Sequence, residues 1–118
     1  ATVVTGFMAL SASTALAAQL TAPIQRDGLI VDDEYKTLYI NDTDPAGKSA
    51  CTGDCAKQWM PLYATTASKK KGDYSVIKRD DGKHQWAYKG KPLYTSSNDK
   101  KSGDKNGDNA DGVWHVVQ

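Results

Sequence analysis

The chain has 118 residues, with 15 Lys plus Arg against 14 Asp plus Glu and a formal net charge of +1. A pI near 7.9 leaves no global basic field, so no nucleic-acid partner is expected. The length suits one modest domain with or without a tail.

No Asp, Glu, Lys or Arg precedes Arg26. Residues 1–25 therefore read as an uncharged apolar segment ahead of a charged body, residues 26–118. The segment has two readings. Ala15-Leu16-Ala17 is a small-x-small pattern of the kind that ends a secretory signal peptide, which would make residues 1–17 a signal remnant. Val3, Phe7 and Leu10, with Val4 and Met8 beside them, instead recur at helical spacing and suit an assembly element. Such a helix of about 20 residues would span roughly 30 Å; the alternative is a strand donated to a neighbour's sheet. An apolar N-terminal element ahead of a β body is the architecture of a pilin-like filament subunit. No glutamate stands at the fifth position after a cleavage at Gly6, a departure from bacterial type IV pilins. In the assembly reading the partner is the protein itself, and a membrane is met only during export.

The body reads as strands. Three Trp, six Tyr and short Val/Ile/Leu runs are strand chemistry. Leu29-Ile30-Val31 is a short strand, turned by Asp32-Asp33-Glu34. Lys36 to Asn41 follows, with Leu38 and Ile40 on one face and Tyr39 on the other. Asp42 to Gly47 is a loop. Cys51 to Trp59 is expected to form about two turns of helix, ended by Pro61. Ala64 to Asp73, with Lys69-Lys70-Lys71, is an exposed connection. Tyr74 to Arg79 and Lys83 to Lys89 flank the hairpin signal Asp81-Gly82. Gly90-Lys91 turns into Leu93 to Ser96. Ser102 to Gly112 is a second long loop, and Val113 to Val117 is the closing strand.

One pattern occurs twice. Leu38-Tyr39, Asp44 and Trp59 recur as Leu93-Tyr94, Asp99 and Trp114, each at an offset of 55 residues. Two copies, about 28–63 and 82–118, imply a unit too small to bury its own core. The expected fold is a small, mainly antiparallel β domain built from a duplicated unit, behind an apolar segment that is helix or donated strand.

These residues resemble a known pattern. Cys51-Thr52-Gly53-Asp54-Cys55-Ala56, Asp81-Gly82, Gln85-Trp86, Pro92-Leu93-Tyr94 and Gly112-Val113-Trp114-His115-Val116-Val117 look like the secreted-repeat family with a Tyr-x4-Asp motif. That is a bacterial and archaeal group of predicted lipoproteins and secreted proteins of unknown function. The resemblance spans Thr37 to Leu62 and Asp81 to Val117. It implies an extracytoplasmic protein, at the cell surface or beyond it, with the periplasm as the alternative. Met60-Pro61 replaces the family's usual Pro-Pro, and no lipobox cysteine is present, so lipid attachment is not implied.

The candidate residues each have a bland and a functional reading. Tyr39 and Tyr94 are expected to pack on the sheet, and Asp44 and Asp99 to bond loop N–H groups, pinning loop to strand. In an exported chain Cys51 and Cys55 read as one disulfide, their spacing placing the Cα atoms within bonding reach. Trp59 and Trp114 occupy matching places and are expected in the core, about a pseudo-twofold axis. Asp104, Asn106, Asp108 and Asp111 place oxygens at alternate positions, which is calcium chemistry. The glycine and distant glutamate of an EF-hand are missing, so a solvated loop is expected. His84 and His115 could ligate copper or zinc or move protons, but nothing pairs them with a nucleophile. No enzyme and no cofactor is expected. The expected function is a non-enzymatic exported structural protein that self-assembles, with filaments as one form, through its apolar segment. The alternative is a periplasmic or extracellular binding or redox module for a metal or haem.

Overall fold

A computed structural model describes residues 18–117; the candidate assembly residues Val3, Val4, Phe7, Met8 and Leu10 lie outside the described residues. The chain is mainly β, as its composition predicts. In order come β1 (Ile24–Arg26), β2 (Leu29–Val31), β3 (Tyr39–Asn41), α1 (Asp54–Gln58), β4 (Trp59–Pro61) and β5 (Tyr63–Ala64). The second half holds β6 (Tyr74–Lys78), β7 (His84–Tyr88), β8 (Lys91–Pro92), β9 (Tyr94–Ser96) and β10 (Trp114–Val116).

The central sheet has the order β10-β3-β9-β4, every pair antiparallel. Its registers repeat. Trp114, His115 and Val116 face Asn41, Ile40 and Tyr39; Trp59, Met60 and Pro61 face Ser96, Thr95 and Tyr94. The last strand of each unit therefore pairs with the strand that precedes the other unit's long loop. The pseudo-twofold axis passes where Tyr39 pairs with Tyr94. Two hairpins flank this sheet, β1-β2 and β6-β7, and β7 also pairs with β5 and β8. The main chain ties them on equivalently. Ile30 donates to Val117 as Trp86 donates to Leu62, and Leu38 donates to Ile30 as Leu93 donates to Trp86.

Alternation from Leu38 into β3 and from Leu93 into β9 separates two cores. Leu38 and Leu93 enter a cluster with Ile30, Leu62, Ala64, Trp86 and Val117. Tyr39 and Tyr94 enter another with Cys51, Trp59 and Trp114. There the two indoles stack, centroids 3.9 Å apart and 5° from parallel. Each carries a tyrosine edge-on, Tyr39 against Trp59 at 5.2 Å and Tyr94 against Trp114 at 5.0 Å.

Three expectations need correction. The predicted helix over Cys51–Trp59 is confined to Asp54–Gln58, and Trp59 begins a strand. Pairing with Ser96 and stacking on Trp114 hold Trp59 extended, so tertiary contact overrides the local signal. The boundary at residue 25 falls inside β1, and the domain reaches back to Gln19. The Gln19 N–H donates to Tyr63 O at 2.9 Å, its side chain accepts from Asp33 N–H at 2.9 Å, and its carbonyl accepts from Trp86 Nε1 at 2.8 Å. Finally, each unit includes its whole hairpin, so the copies run about 24–62 and 74–117 rather than 28–63 and 82–118.

Gly107 is buried against the aromatic stack. A Cβ there would overlap the Trp59 ring, and the Tyr39 ring lies 3.4 Å away. Gly107→Ala is therefore expected to lower unfolding stability by about 1–3 kcal/mol through overpacking. Urea denaturation would show this as a lower midpoint at unchanged slope.

Candidate functional site

The repeated polar residues meet at the pseudo-twofold axis, and they meet crosswise. The Tyr39 hydroxyl donates to Asp99 Oδ2 at 2.7 Å, and the Tyr94 hydroxyl donates to Asp44 Oδ2 at 2.7 Å. Each tyrosine bonds the aspartate of the other unit. The other carboxylate oxygen holds its own loop: Asp44 Oδ1 accepts from Ala50 N–H and Asp99 Oδ1 from Asn106 N–H, both at 2.9 Å. So the aspartates pin their loops as expected, while the phenols join the two units.

A further pair completes the arrangement. Lys36 Nζ donates to the main-chain oxygen of Asp99 at 3.3 Å, and Lys91 Nζ to that of Asp44 at 3.1 Å. Sequence reasoning missed these lysines, although they share the 55-residue offset. The carboxylates are 3% and 4% exposed, so these partners replace nearly all of their water.

The halves differ at the phenols. Tyr39 Oη accepts directly from Gly107 N–H at 3.2 Å. At Tyr94 a serine intervenes. Ser49 Oγ accepts from Arg79 Nη1 at 3.0 Å and from Cys51 N–H at 3.3 Å, so its own proton points to Tyr94 Oη at 2.5 Å. Buried Arg79 also donates to Gln85 Oε1 at 2.9 Å, Cys51 O at 3.0 Å and Asp81 Oδ2 at 3.1 Å. Ala50 thus matches Asn106, and Gly107 stands at the place of Cys51; the second loop carries one extra residue before that point. Cys51 and Cys55 form the expected disulfide, with Cα atoms 5.2 Å apart. It packs on the aromatic cluster, where Ala110 takes the corresponding place in the second unit.

The phenols are donors. Burial, and then the Asp99 carboxylate, push the Tyr39 phenol well above its usual value. Burial pushes the Tyr94 phenol up against the Ser49 hydrogen bond, and the Asp44 carboxylate adds to the rise. A phenol held protonated this firmly is a poor general base or nucleophile at neutral pH.

The metal candidates do not converge. His115 Nε2 pairs with Asp42 Oδ2 at 2.7 Å on the central sheet, while His84 lies on β7 opposite Ala64 and Lys78. Asp104 Oδ2 accepts from Lys100 and Lys101 N–H at 2.9 and 3.2 Å, and Asp108 Oδ1 from Val116 N–H at 3.1 Å. Asn106 donates to Asn98 O at 3.1 Å, and Asp111 sits in a left-handed turn. Among the described residues no group of three or more His, Cys, Asp or Glu is gathered for a metal. A cavity of about 320 Å³ opens beside the Lys36–Asp99 contact, lined by Asp32, Glu34, Met60 and Lys100 among others, and so by both signs of charge.

Residues 75–118 match the model of a family described as a secreted repeat of unknown function. The secreted-repeat match begins within β6 and so covers the second unit from its first hairpin strand onward. The motif resemblance over Asp81 to Val117 falls inside it. The family is described as secreted, which supports an extracytoplasmic location. No curated protein and no solved structure matches the chain.

Tyr39→Phe or Tyr94→Phe removes the one side-chain donor that a buried carboxylate oxygen has among the described residues and is expected to cost about 1–3 kcal/mol each. The tyrosines also set an alkaline limit. Unfolded tyrosines ionise near pH 10, whereas the folded ones keep their protons. Above that pH the unfolded state binds fewer protons, so stability is whole below about pH 10 and falls above it, by roughly 1.4 kcal/mol per pH unit per tyrosine. Denaturation curves between pH 8 and 11 should show this fall, with a shallower slope in either Phe variant.

Proposed function

We propose that the chain is an exported, non-enzymatic structural module: a rigid, disulfide-stapled β head delivered outside the cytoplasm. The observation that carries this reading is the direction of the repeated residues. Lys36, Tyr39, Asp44 and Trp59, with their counterparts in the second unit, bond or stack across the two units.

Residues 1–17 act in this reading as an export signal, cut after the small-x-small pattern Ala15-Leu16-Ala17. The support is Gln19, two residues beyond, whose backbone and side chain are both taken into the domain. Self-assembly through residues 1–25 is the competing arrangement, with filaments as its extended form. The strand β1 and Gln19 are already committed to the domain, so that arrangement would work through residues 1–17 and keep Val3, Val4, Phe7, Met8 and Leu10 in the mature protein.

N-terminal sequencing of the exported protein, with light scattering of the same sample, decides between them. A chain beginning at Ala18 and monodisperse is expected; oligomers beginning upstream of Val3 would overturn the signal reading. The disulfide gives a separate check. Replacing Cys51 and Cys55 by Ser is expected to cost about 2 kcal/mol, since the closed loop is short. The β signal in circular dichroism should persist.

A further inference from the structure

We propose that the face formed by Leu20, Ile24 and Lys69–Lys71 docks on an anionic lipid bilayer surface. Four large hydrophobic residues are exposed among the described residues, and three of them, Leu20 (56%), Ile24 (49%) and Tyr35 (42%), come from one stretch of chain. Leu20 and Ile24 line an open groove of about 590 Å³ together with Ala67, Lys69, Lys70 and Lys71. Ile24 and Arg26 share one face of β1, and the Arg26 guanidinium lies 4.3 Å over the Tyr35 ring. The surface therefore joins aliphatic side chains, a tyrosine and four cations.

The face is built in advance. Lys69 N–H donates to Leu20 O at 3.4 Å, Ser68 Oγ donates to Gln19 O at 2.9 Å, and Lys71 and Tyr74 exchange main-chain bonds at 3.1 and 2.9 Å. The lysine loop is thus fastened on one side to the apolar strip and on the other to β6. Arg26, Lys69, Lys70 and Lys71 make no ion pair among the described residues, although Asp27 and Asp73 adjoin them in sequence.

Charge complementarity selects the occupant. Apolar groups rimmed by unpaired lysines match the boundary between acyl chains and anionic headgroups, where buried apolar area and cationic attraction add. Tyrosine and arginine suit the same depth. In sequence, the uncharged residues 1–17 join the domain beside this face, so a chain still tethered by them during export would present it to the membrane. The inference is independent of whether those residues are later removed.

The test is flotation of the full chain with vesicles of phosphatidylcholine, with and without phosphatidylglycerol, at low and high salt. Binding to the anionic vesicles is expected to weaken steeply with salt. Neutralising three lysines by Lys69→Gln, Lys70→Gln and Lys71→Gln should weaken it on the order of 100-fold. Leu20→Ser with Ile24→Ser should weaken it at every salt concentration. All five positions are solvent-exposed, so an unchanged circular dichroism spectrum is expected for both variants. Binding that is equal on neutral and anionic vesicles, or that survives the lysine changes undiminished, would overturn the proposal and assign any lipid affinity to residues 1–17 alone.

Discussion

The exchange of strands about the Tyr39–Tyr94 pair is the constraint on which the rest of the molecule depends. β4 pairs with β9 and β10 with β3, so neither unit owns a complete share of the central sheet. Once the strands cross, the loops that follow β3 and β9 must cross too. That brings each aspartate under the other unit's tyrosine. A carboxylate this deeply buried is costly unless every lone pair finds a donor. Here the phenol takes one oxygen, a loop N–H the other, and a lysine the carbonyl of the same residue. The same crossing lays Trp59 on Trp114. Interlock, burial and stacking are one event, which favours cooperative closure of both units over separate folding of each.

The departures from symmetry have local causes. Trp86 occupies the place that Ile30 holds in the first unit, as their equivalent main-chain bonds show. A buried indole N–H needs an acceptor, and Gln19 O supplies it. This explains why the segment before β1 folds onto the second unit. At the stack, Gly107 lets the backbone touch Trp59, whereas Cys51 carries a side chain at the matching place and bonds Cys55. Ser49 then fills the gap between the Tyr94 phenol and Arg79. The staple lies in the first unit, and Arg79, from the second, bonds Ser49 and Cys51 O across the boundary, so both hold the loop that carries α1.

Much of this was legible because a duplicated unit repeats its residues as well as its shape. The offset of 55 located the aromatic stack, both aspartates and the strand positions, and the cysteine spacing located the bridge. The crossing of partners was not legible. A tyrosine bonded to its own unit's aspartate and one bonded to the other unit's leave the same spacing in sequence. Lys36 and Lys91 share the offset but were missed, because their ammonium groups bond carbonyls that the sequence does not mark. Trp59 was drawn into a helix by its neighbours, since only the distant Ser96 and Trp114 hold it extended. Gln19, Ser49 and Arg79 have no counterpart at the offset, and only the folded chain reveals them.

That division bears on function. Residues present in both units are the ones the pseudo-symmetry needs, and the structure finds them occupied with one another. Whatever distinguishes this module in its surroundings should then lie where the repeat is broken. One such region is residues 18–23 together with the connection between the units, residues 65–73. Neither has a repeated partner, and the two are fastened to each other through Gln19, Leu20, Ser68 and Lys69. Interlocked units need only a short, plain connection. This one carries three consecutive lysines and holds them beside exposed aliphatic side chains, an arrangement the fold does not require. Surface features that cost burial without serving closure are reasonably assigned to contact with something outside the chain.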